Sequence, residues 1–442
     1  MPRTGPGTLP RAGTLATFGI LVAWSLLAVG DARHEGFYTT AGFALVSAGF
    51  LLLLGVVASG VVPTAPTWTT LVLPVGICVL MSVVHPVGAY MYISHHGESA
   101  ARWLVTAGAV VALVTLLIRR IRKGWGLVPI AALATATAIV VVRAAPRPAI
   151  DVWVFLQQSS TGLLHGANMY TQHWVGSPSG ELTDVYPYLP GTTLLLAPFK
   201  WLFGDVRYGT AVAALLAGYL VWRLAPKAPA ALAALIVLMP HWAFLIDQSW
   251  TEPLLVVELA ACILALRAGR TGWATVALAA ALVTKQFVAP LLPLFAIWRG
   301  FGVRRAATAA AAAFAIALPW LVAAPRAMWH DAVTAELNEG VLPGALNLPS
   351  FLGRHGVDVG FVLTLVVVGV AYAVAVTRLP RTPAGLALGC ALIMWALDIA
   401  NKQTFFNHYT FPLGLMVVAL AAAPLAEDAG GALQAESTSV EG

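Results

Sequence analysis

Asp151 is an isolated carboxylate that follows an apolar segment, in the stretch "AIVVVRAAPRPAIDVWVFLQQSSTGLLHGANMY". A charged group at the edge of a bilayer is much less costly than one at its centre, where the cost is about 2.5–3.5 kcal/mol or more. Asp151 could cap a helix that begins at "VWVF". The same carboxylate could also remove a proton from a hydroxyl group at the boundary between lipid and water. Asp151 is therefore the first candidate for a catalytic base.

Four cationic side chains are candidates for holding a phosphate group: Lys285, Arg354, Lys402 and His408. Lys285 lies in the apolar run "LVTKQFVAP", where a cation is costly unless it is paired or reaches the membrane surface. Glu252 could be a purely structural partner for it, and the alternative is that Lys285 binds a lipid phosphate. The planar guanidinium of Arg354 suits a phosphodiester, although it could simply anchor a loop. His408 could be an interfacial residue or, with Lys402, part of the phosphate site.

The sequence contains no pattern typical of a metal site, a disulfide framework or a bound cofactor. Cys78, Cys262 and Cys390 all fall within apolar segments and lack framework spacing. No two histidines have a clear metal-ligand spacing. Asp184 could be a second acid or a metal ligand, although a turn residue is the more common role for such an aspartate. We therefore predict neither a metal nor a cofactor.

The composition predicts an all-α, polytopic transmembrane helical bundle. Of the 442 residues 59% are hydrophobic and only 10% are charged, and the mean hydropathy is +0.83. A soluble protein of this size would carry about 25% charged residues. Many stretches approach the roughly 20 apolar residues that a membrane-spanning helix needs. We expect contact with membrane lipids and an integral, multi-pass location.

The basic residues predict the orientation of the spans. They cluster where two apolar segments meet: Arg119, Arg120, Arg122 and Lys123; Arg267 and Arg270; Arg299, Arg304 and Arg305; Arg378 and Arg381. This is the positive-inside pattern, so the net charge of +6 does not indicate a nucleic-acid partner. With the N-terminus inside, Asp151 and the two long polar loops, 144–186 and 324–356, face outward. The first loop should begin with an amphipathic helix lying on the membrane interface.

The middle of the chain presents a parity problem, because the basic residues on both sides of the segment 272–298 belong inside. That segment must then go out and return, as two short helices that meet near Lys285–Pro290. Equally, one of the segments between 187 and 246 could dip without crossing. We find no internal repeat, so an inverted-repeat transporter is not supported.

Several motifs, taken in order, resemble the C-type glycosyltransferases of the membrane. The Asp151 stretch followed by "VYPYLPGTTLLLAPF" is most similar to family 87, the actinobacterial polyprenol-phosphate-dependent mannosyl- and arabinosyltransferases. In that family the first outer loop begins with an aspartate that acts as the base, which Asp151 matches. A Tyr-Pro-Pro-like element starts the next span. Tyr186 and Pro187 match it, and the second proline is displaced to Pro190.

Further blocks extend the resemblance. "QSWTEPLLVVELAACILALRAGRTGWATVALAAALVTKQFVAPLLPLF" resembles the block in which a polar turn, a basic turn and a lysine recur in that order. "NLPSFLGRHG" resembles an Asn-x-Ser…Arg pattern but is one residue longer, so Arg354 matches better than the other two positions. "NKQTFFNHYTFPLGL" is similar to the start of the last span. The substrate-binding positions that the resemblance implies are Tyr186, Gln248, Glu252, Gln286, Asn347 and Ser350.

The resemblance covers residues 127–424, which we take as a C-type catalytic module. Residues 1–126 are then additional N-terminal transmembrane helices, and 425–442 form an acidic, disordered cytoplasmic tail. The resemblance implies inverting transfer of a sugar, with mannose expected, at the outer face of the plasma membrane. The donor is a polyprenyl-phosphate sugar and the acceptor an envelope glycolipid or glycan. The alternatives are a lipid or sugar transporter or flippase without catalysis, and a non-catalytic assembly protein of envelope synthesis.

Overall fold

The computed structural model describes residues 9–85, 94–118, 121, 124–176, 184–240, 242–342 and 344–425. Within these ranges the chain is helical and has no β-strand, and one isolated bridge joins Phe37 to Ala345. This confirms the predicted all-α class. Of the predicted tail only residue 425 is described, and the rest of it lies outside the described residues.

The helices of the first half are α1 (Leu9–Ala32), α2 (Thr40–Ala58), α3 (Trp68–Val84), α4 (His95–Leu117), α5 (Leu127–Ala144), α6 (Asp151–Leu164), α7 (Pro190–Phe203), α8 (Arg207–Leu224), α9 (Ala230–Leu238) and α10 (Trp242–Asp247). Those of the second half are α11 (Glu252–Arg267), α12 (Thr271–Thr284), α13 (Leu292–Ile297), α14 (Gly302–Ala323), α15 (Pro325–Trp329), α16 (Ala335–Asn338), α17 (Leu348–Arg354), α18 (Val362–Arg378), α19 (Pro383–Ala400) and α20 (Phe406–Ala422).

Six of the described helices are long and apolar enough to cross a membrane by length and composition. They are Ala12–Ala32, Thr40–Ala58, His95–Leu117, Gly124–Ala144, Gly302–Ala323 and Pro383–Ala400. Shorter apolar helices, among them α3, α12, α18 and α20, pack between or beside them. This composition and length fit a multi-pass membrane protein.

The described basic clusters lie at one end of the bundle, which we call the arginine end. It carries Arg223, Arg267, Arg270, Arg299, Arg304, Arg305, Arg378 and Arg381. The Arg267 guanidinium donates to the carbonyl oxygens of Leu224 at 2.6 Å and Ala421 at 3.1 Å, so α8, α11 and α20 meet there. Arg381 lies 4.9 Å from the Trp298 ring centroid, which brings the turns before α14 and α19 together. The predicted basic cluster at 119–123 lies outside the described residues, apart from Ile121.

The opposite end carries Asp151, Lys285 and the loop 325–342, and we call it the Asp151 end. Tyr186 of the first long loop donates its backbone N–H to Asp331 of the second at 2.9 Å. Gln286 donates to the carbonyl oxygens of Pro187 at 2.8 Å and Ala332 at 3.0 Å. The two long polar loops therefore meet above one region of the bundle. The side of a membrane that each end faces stays a prediction.

The segment 272–298 goes from the arginine end to the Asp151 end and back. α12 ends at Thr284, a 3₁₀ turn covers Gln286–Leu291, and α13 returns from Leu292. Pro290 lies in the turn, where its missing N–H costs no helical bond. The prediction of two short helices that meet near Lys285–Pro290 is confirmed.

α7 starts and finishes at the Asp151 end, so the helix that follows the Tyr-Pro element does not cross the bundle. Near its start, Thr192 donates to the carbonyl oxygen of Thr284 at 2.6 Å, beside Lys285. Just past its end, the Gly204 carbonyl oxygen accepts from Gln157 of α6 at 2.7 Å. Fourteen residues span only about 21 Å at 1.5 Å per residue, less than the thickness of the hydrocarbon core. α7 is therefore a segment between 187 and 246 that dips without crossing, which was one of the possibilities left by the parity of the chain.

The first four helices share a core with the rest of the bundle. α1 packs on α20, α2 on α18 and α19, and α4 on α9. Phe50 of α2 meets Trp395 of α19 edge-on at 6.0 Å between ring centroids. A Cβ at Gly49 would lie 2.8 Å from the same tryptophan, so the small residue permits this close approach. The division at residue 126 stays a prediction, and packing does not separate the two parts.

Candidate functional site

Asp151 is the first residue of α6, and its carboxylate is partly buried. Its Oδ1 accepts a hydrogen bond from the backbone N–H of Val152 at 2.7 Å. That N–H is one of those that the first turn of a helix leaves unpaired, but the N-cap residue of α6 is Ile150, so Asp151 lies in the first turn and is not the cap. Burial raises the pKa of Asp151, while hydrogen bonds from the backbone lower it. A carboxyl group with a raised pKa is a stronger base once it is ionised.

A buried ion pair at the start of α8 fixes α6, and we call it the Arg207 corner. The fully buried Arg207 guanidinium contacts both carboxylate oxygens of Asp205, at 3.0 and 2.7 Å. It also donates to the carbonyl oxygen of Ala145, after the end of α5, at 2.6 Å. Asp205 accepts from the indole N–H of Trp153 at 3.3 Å. The Arg207 corner thus joins α5, α6 and α8 two residues from Asp151.

Lys285 forms the structural pair with Glu252 that its apolar context required. Its Nζ lies 2.7 Å from Glu252 Oε1, and the same oxygen accepts from Asn407 at 2.9 Å. Nζ also lies 5.3 Å from the ring centroid of Tyr188 and 5.6 Å from that of Phe287. One ammonium group therefore meets a carboxylate and two aromatic faces.

Tyr188 is a buried residue on which the charges of three acidic residues act. Burial raises the pKa of Tyr188, and so do the negative charges of Glu252, Asp151 and Glu336. Its backbone carbonyl oxygen accepts from the Tyr170 hydroxyl at 2.9 Å. The charges of Asp151 and Glu252, which lie far apart in the sequence, therefore both act on Tyr188, and Lys285 lies 5.3 Å from its ring centroid.

His408 packs against Phe287, whose ring also contacts the Lys285 ammonium group. Its ring centroid lies 5.0 Å from that of Phe287, and its Nδ1 lies 3.9 Å from Asp398 Oδ1, too far for a hydrogen bond. Asp398 is fully buried, and neither of its carboxylate oxygens has a hydrogen-bond partner. The structure thus brings the predicted phosphate residues Lys285 and His408 together, beside an additional acid on α19.

Lys402 and Gln286 hold the loop 325–342 in place. Lys402 Nζ donates to the carbonyl oxygens of Leu337, at 2.7 Å, and Glu339. Gln286 makes the two carbonyl contacts described above, and its buried Oε1 has no hydrogen-bond partner. Both were predicted to bind substrate or phosphate. In the structure their donor groups position the backbone over the Asp151 end.

Asn347 and Ser350 form a helix cap. The Asn347 Oδ1 accepts from the backbone N–H of Ser350 at 2.8 Å and begins α17, as an N-cap asparagine does. Its amide also donates to the carbonyl oxygen of Asn401 at 2.7 Å. The Ser350 hydroxyl donates to the carbonyl oxygen of Leu342 at 2.9 Å. Their predicted role in substrate binding stays a prediction.

Arg354 packs against an aromatic ring. Arg354, the last residue of α17, lies 4.3 Å from the ring centroid of Tyr38, which precedes α2. Its convergence with Lys285 on one phosphate stays a prediction.

Tyr186 is fully buried, and its hydroxyl is hydrogen-bonded to Thr193 of α7. Its ring is part of the core beneath the first loop.

Gln248 and Asp184 have local partners. Gln248 donates to Asp247 at 3.1 Å, and Asp247 lies 4.0 Å from the Arg207 guanidinium. Asp184 adopts a left-handed φ of 63° and accepts from the backbone N–H of Trp174 at 3.0 Å. That N–H and the His173 side chain lower the pKa of Asp184. These features are typical of a turn aspartate. Among the described residues, no group of three or more His, Cys, Asp or Glu could hold a metal.

Sequence reasoning missed four residues of this end: Tyr188, Asp205, Arg207 and Glu336. The Arg207 corner had a signal, because an arginine two residues after an aspartate in "GDVRYG" adjoins an apolar helix and must be paired there. Tyr188 lies in the same "VYPYLPG" motif as Tyr186. For Glu336 no local pattern distinguishes it from other loop glutamates.

No family model matches this chain, and neither a curated protein nor a solved structure matches it. The fold defines a class: an all-helical protein with the long apolar helices of a multi-pass membrane protein. Within the described residues, the buried carboxylates and cations gather at the Asp151 end.

Proposed function

We propose that this chain is a membrane glycosyltransferase that moves a sugar from a polyprenyl-phosphate donor to a hydroxyl of an envelope glycolipid or glycan. The sugar that we propose is mannose. The reaction would take place at the extracytoplasmic face of the plasma membrane. The observation that supports the proposal is that the Lys285 ammonium group lies 5.3 Å from the ring centroid of Tyr188, a residue on which the charge of Asp151 also acts. The proposed base and the proposed phosphate-binding cation thus both act on one side chain at the Asp151 end.

In the proposed reaction, Asp151 removes the proton of the acceptor hydroxyl as its oxygen attacks the anomeric carbon. The new glycosidic bond forms on the face opposite the bond that breaks, so the configuration is inverted. The lipid phosphate leaves with the bonding electron pair. Its charge is met by Lys285, with Arg354, Lys402 and His408 as further donors. Such preorganised cations lower the barrier because the charge on the leaving group grows in the transition state.

The ion pair with Glu252 is compatible with this role. An ammonium group has three N–H donors, and Glu252 Oε1 is the hydrogen-bond partner of Nζ described above. A donor phosphate can therefore become an additional partner of Lys285 without removing Glu252. The rings of Tyr188 and Phe287 offer an apolar surface on which a sugar or the start of the lipid chain can rest.

The competing function is a transporter or flippase. A transport path needs polar groups between the two ends of the bundle. Among the described residues the buried charges lie toward the Asp151 end, and Glu258 is linked to it by a 2.8 Å hydrogen bond from Thr284. This one-sided distribution favours chemistry at a surface over passage through the bundle.

The test is transfer of labelled mannose, and separately arabinose, from a polyprenyl-phosphate donor by purified protein in nanodiscs. Asp151→Asn should leave folding and donor binding intact and lower turnover by about 10²–10⁴, the usual contribution of a general base. Because the pKa of Asp151 is raised, activity should already decline at a pH above the ordinary aspartate range.

The matched control is Asp184→Asn in the same loop, since asparagine tolerates the left-handed backbone and only the charge is lost. It should retain wild-type turnover. Wild-type turnover in Asp151→Asn would remove Asp151 from the mechanism. No transfer from either donor by the wild-type protein, over a range of glycan acceptors, would count against the enzyme.

A further inference from the structure

The connection between α1 and α2 contacts the segment that leads into α17. The backbone N–H of Tyr38 donates to the carbonyl oxygen of Gly344 at 2.7 Å. The preceding residue, Phe37, forms the antiparallel bridge to Ala345. These backbone contacts join the N-terminal helices directly to the second long loop, and they fix the position of Tyr38 relative to α17.

Aromatic rings join the same two parts of the chain. The Phe43 ring of α2 stacks on the Phe351 ring of α17, with 4.8 Å between centroids and an interplanar angle of 16°. Arg354 follows Phe351 by three residues, so the two side chains share one face of α17. The Arg354 guanidinium carbon lies 4.3 Å from the ring centroid of Tyr38. The face of α17 that carries Arg354 therefore rests on aromatic residues of the N-terminal helices.

The first turn of α17 is held at the Asp151 end. The Ser350 hydroxyl donates to the carbonyl oxygen of Leu342 at 2.9 Å, and the Leu342 N–H donates to the carbonyl oxygen of Lys402 at 3.0 Å. The backbone of α17 is thus fixed, whereas the side chain of Arg354 at its last residue is long and exposed. Rotamer freedom that is lost when such a side chain binds a ligand opposes binding.

A ring beneath a guanidinium restricts its rotamers without using its hydrogen-bond donors. The guanidinium stacks on the ring through its flat face, whereas its N–H groups point outward in its own plane. Two of these N–H groups can then bind a phosphate in parallel, which is the geometry that makes arginine a strong phosphate ligand. A guanidinium that is already oriented loses less freedom when the phosphate arrives.

We propose that Tyr38 is a positioning residue, which holds the Arg354 guanidinium ready for the phosphate of the donor. This inference rests on the proposed function, because it assumes that Arg354 binds that phosphate. Tyr38 acts through Arg354 and does not itself touch the donor. Because Tyr38 belongs to the connection between α1 and α2, the N-terminal helices complete the donor site.

The experiment measures the binding of a short-chain polyprenyl phosphate and of the corresponding polyprenyl alcohol to protein in zwitterionic nanodiscs. Tyr38→Leu removes the aromatic face and should weaken phosphate binding by about two- to fivefold, the effect of a cation–π contact at an exposed site. Tyr38→Met should show the same loss. Tyr38→Phe keeps the ring and should bind the phosphate as the wild-type protein does. Binding of the alcohol should not change in any of the three variants.

Two further variants separate positioning from loop packing. Phe37→Leu is the matched control, because it removes a ring from the same connection and leaves Tyr38 in place, and it should bind the phosphate normally. Arg354→Gln should weaken phosphate binding by itself. Adding Tyr38→Leu to Arg354→Gln should cause no further loss, because the residue through which Tyr38 acts is then absent.

Three results would overturn the Tyr38 inference alone, provided that the wild-type protein prefers the phosphate to the alcohol. They are unchanged phosphate binding in Tyr38→Leu and Tyr38→Met, an equal loss for phosphate and alcohol, and a further loss when Tyr38→Leu is added to Arg354→Gln. A wild-type protein that binds the phosphate no better than the alcohol would overturn the proposed function and this inference with it.

Discussion

Two requirements meet at the Lys285 ammonium group. It neutralises Glu252 at 2.7 Å, and in the proposed reaction it also binds a phosphate. Both residues are buried, so removing one partner leaves an uncompensated charge, which typically costs about 3–5 kcal/mol. The remaining hydrogen bond from Asn407 offsets part of this cost for Glu252.

We expect Lys285→Gln and Glu252→Gln each to lower the free energy of unfolding by about 3–5 kcal/mol. The double variant should lose less than the sum of the two, because neither charge then stays behind. Thermal and denaturant unfolding of the three variants measures this coupling. Lys227→Gln, at an exposed position, is the control and should stay within about 0.5 kcal/mol of the wild type. Two single variants as stable as the wild type would show that the pair contributes nothing to folding.

At the residue scale, the sequence was informative where a charged side chain lies in an apolar segment and so needs a partner. A lysine in an apolar run needs a partner, and the sequence offers Glu252 for that reason. Asn347 was assigned to substrate through a resemblance, and the structure places it as a helix cap. Glu336 and Tyr188 could not be singled out, because their importance comes from neighbours that are distant in the chain. Burial and charge around them exist only once the helices have packed.

At the element scale, α6 and its aspartate depend on the Arg207 corner. Arg207 bridges the end of α5 and Asp205, and Asp205 accepts from Trp153 of α6. A fully buried guanidinium with these partners cannot be replaced by an apolar side chain without leaving acceptors unpaired. Even lysine lacks the planar fork that reaches both oxygens of Asp205.

We expect Arg207→Met to lower the free energy of unfolding by about 3–5 kcal/mol, because the Asp205 charge and the carbonyl oxygens of Val142 and Ala145 lose their partner. Arg207→Lys should recover only part of that loss. Arg223→Gln, an exposed arginine at the other end of α8, is the comparison and should change stability little. Thermal unfolding in one detergent provides the measurement. Equal melting temperatures for Arg207→Met and Arg223→Gln would refute the role of the corner.

The sequence predicted best those helices whose length and flanking basic residues indicate the same path through the membrane. The pair α12 and α13 was foreseen because arginines on both sides require an even number of crossings. The composition of α7 predicts a membrane span, but the helix does not cross the bundle. Its true path is set by contacts that the sequence does not display. Gly191 is one example: a Cβ there would lie 2.6 Å from the Val283 carbonyl oxygen, so α7 begins against the end of α12.

At the scale of the whole molecule, the separation of the arginine end from the Asp151 end predicts opposite accessibility in intact cells. Val175 is 80% exposed at the Asp151 end, and Ala268 is exposed at the arginine end. The three native cysteines are buried, so they should give a low background.

Val175→Cys should react with an impermeant thiol reagent in intact cells, and Ala268→Cys only after the membrane is opened. Val357→Cys, just after the second long loop and before α18, should behave as Val175→Cys does. Mass-tag labelling followed by gel electrophoresis measures the reacted fraction. The reverse pattern would invert the molecule and place Asp151 in the cytoplasm.

The position of the Lys285–Glu252 pair has a consequence for how the chain is made. Glu252 begins α11 and Lys285 directly follows α12, and these are consecutive antiparallel helices joined by a turn at Gly269. Chains are synthesised from the N-terminus and begin to fold as they emerge. As soon as this hairpin has left the ribosome, its acid and its base can neutralise each other, well before Asn407 exists. The hairpin can therefore enter the bilayer as a self-balanced unit, and the later helices close around a charge pair that is already formed.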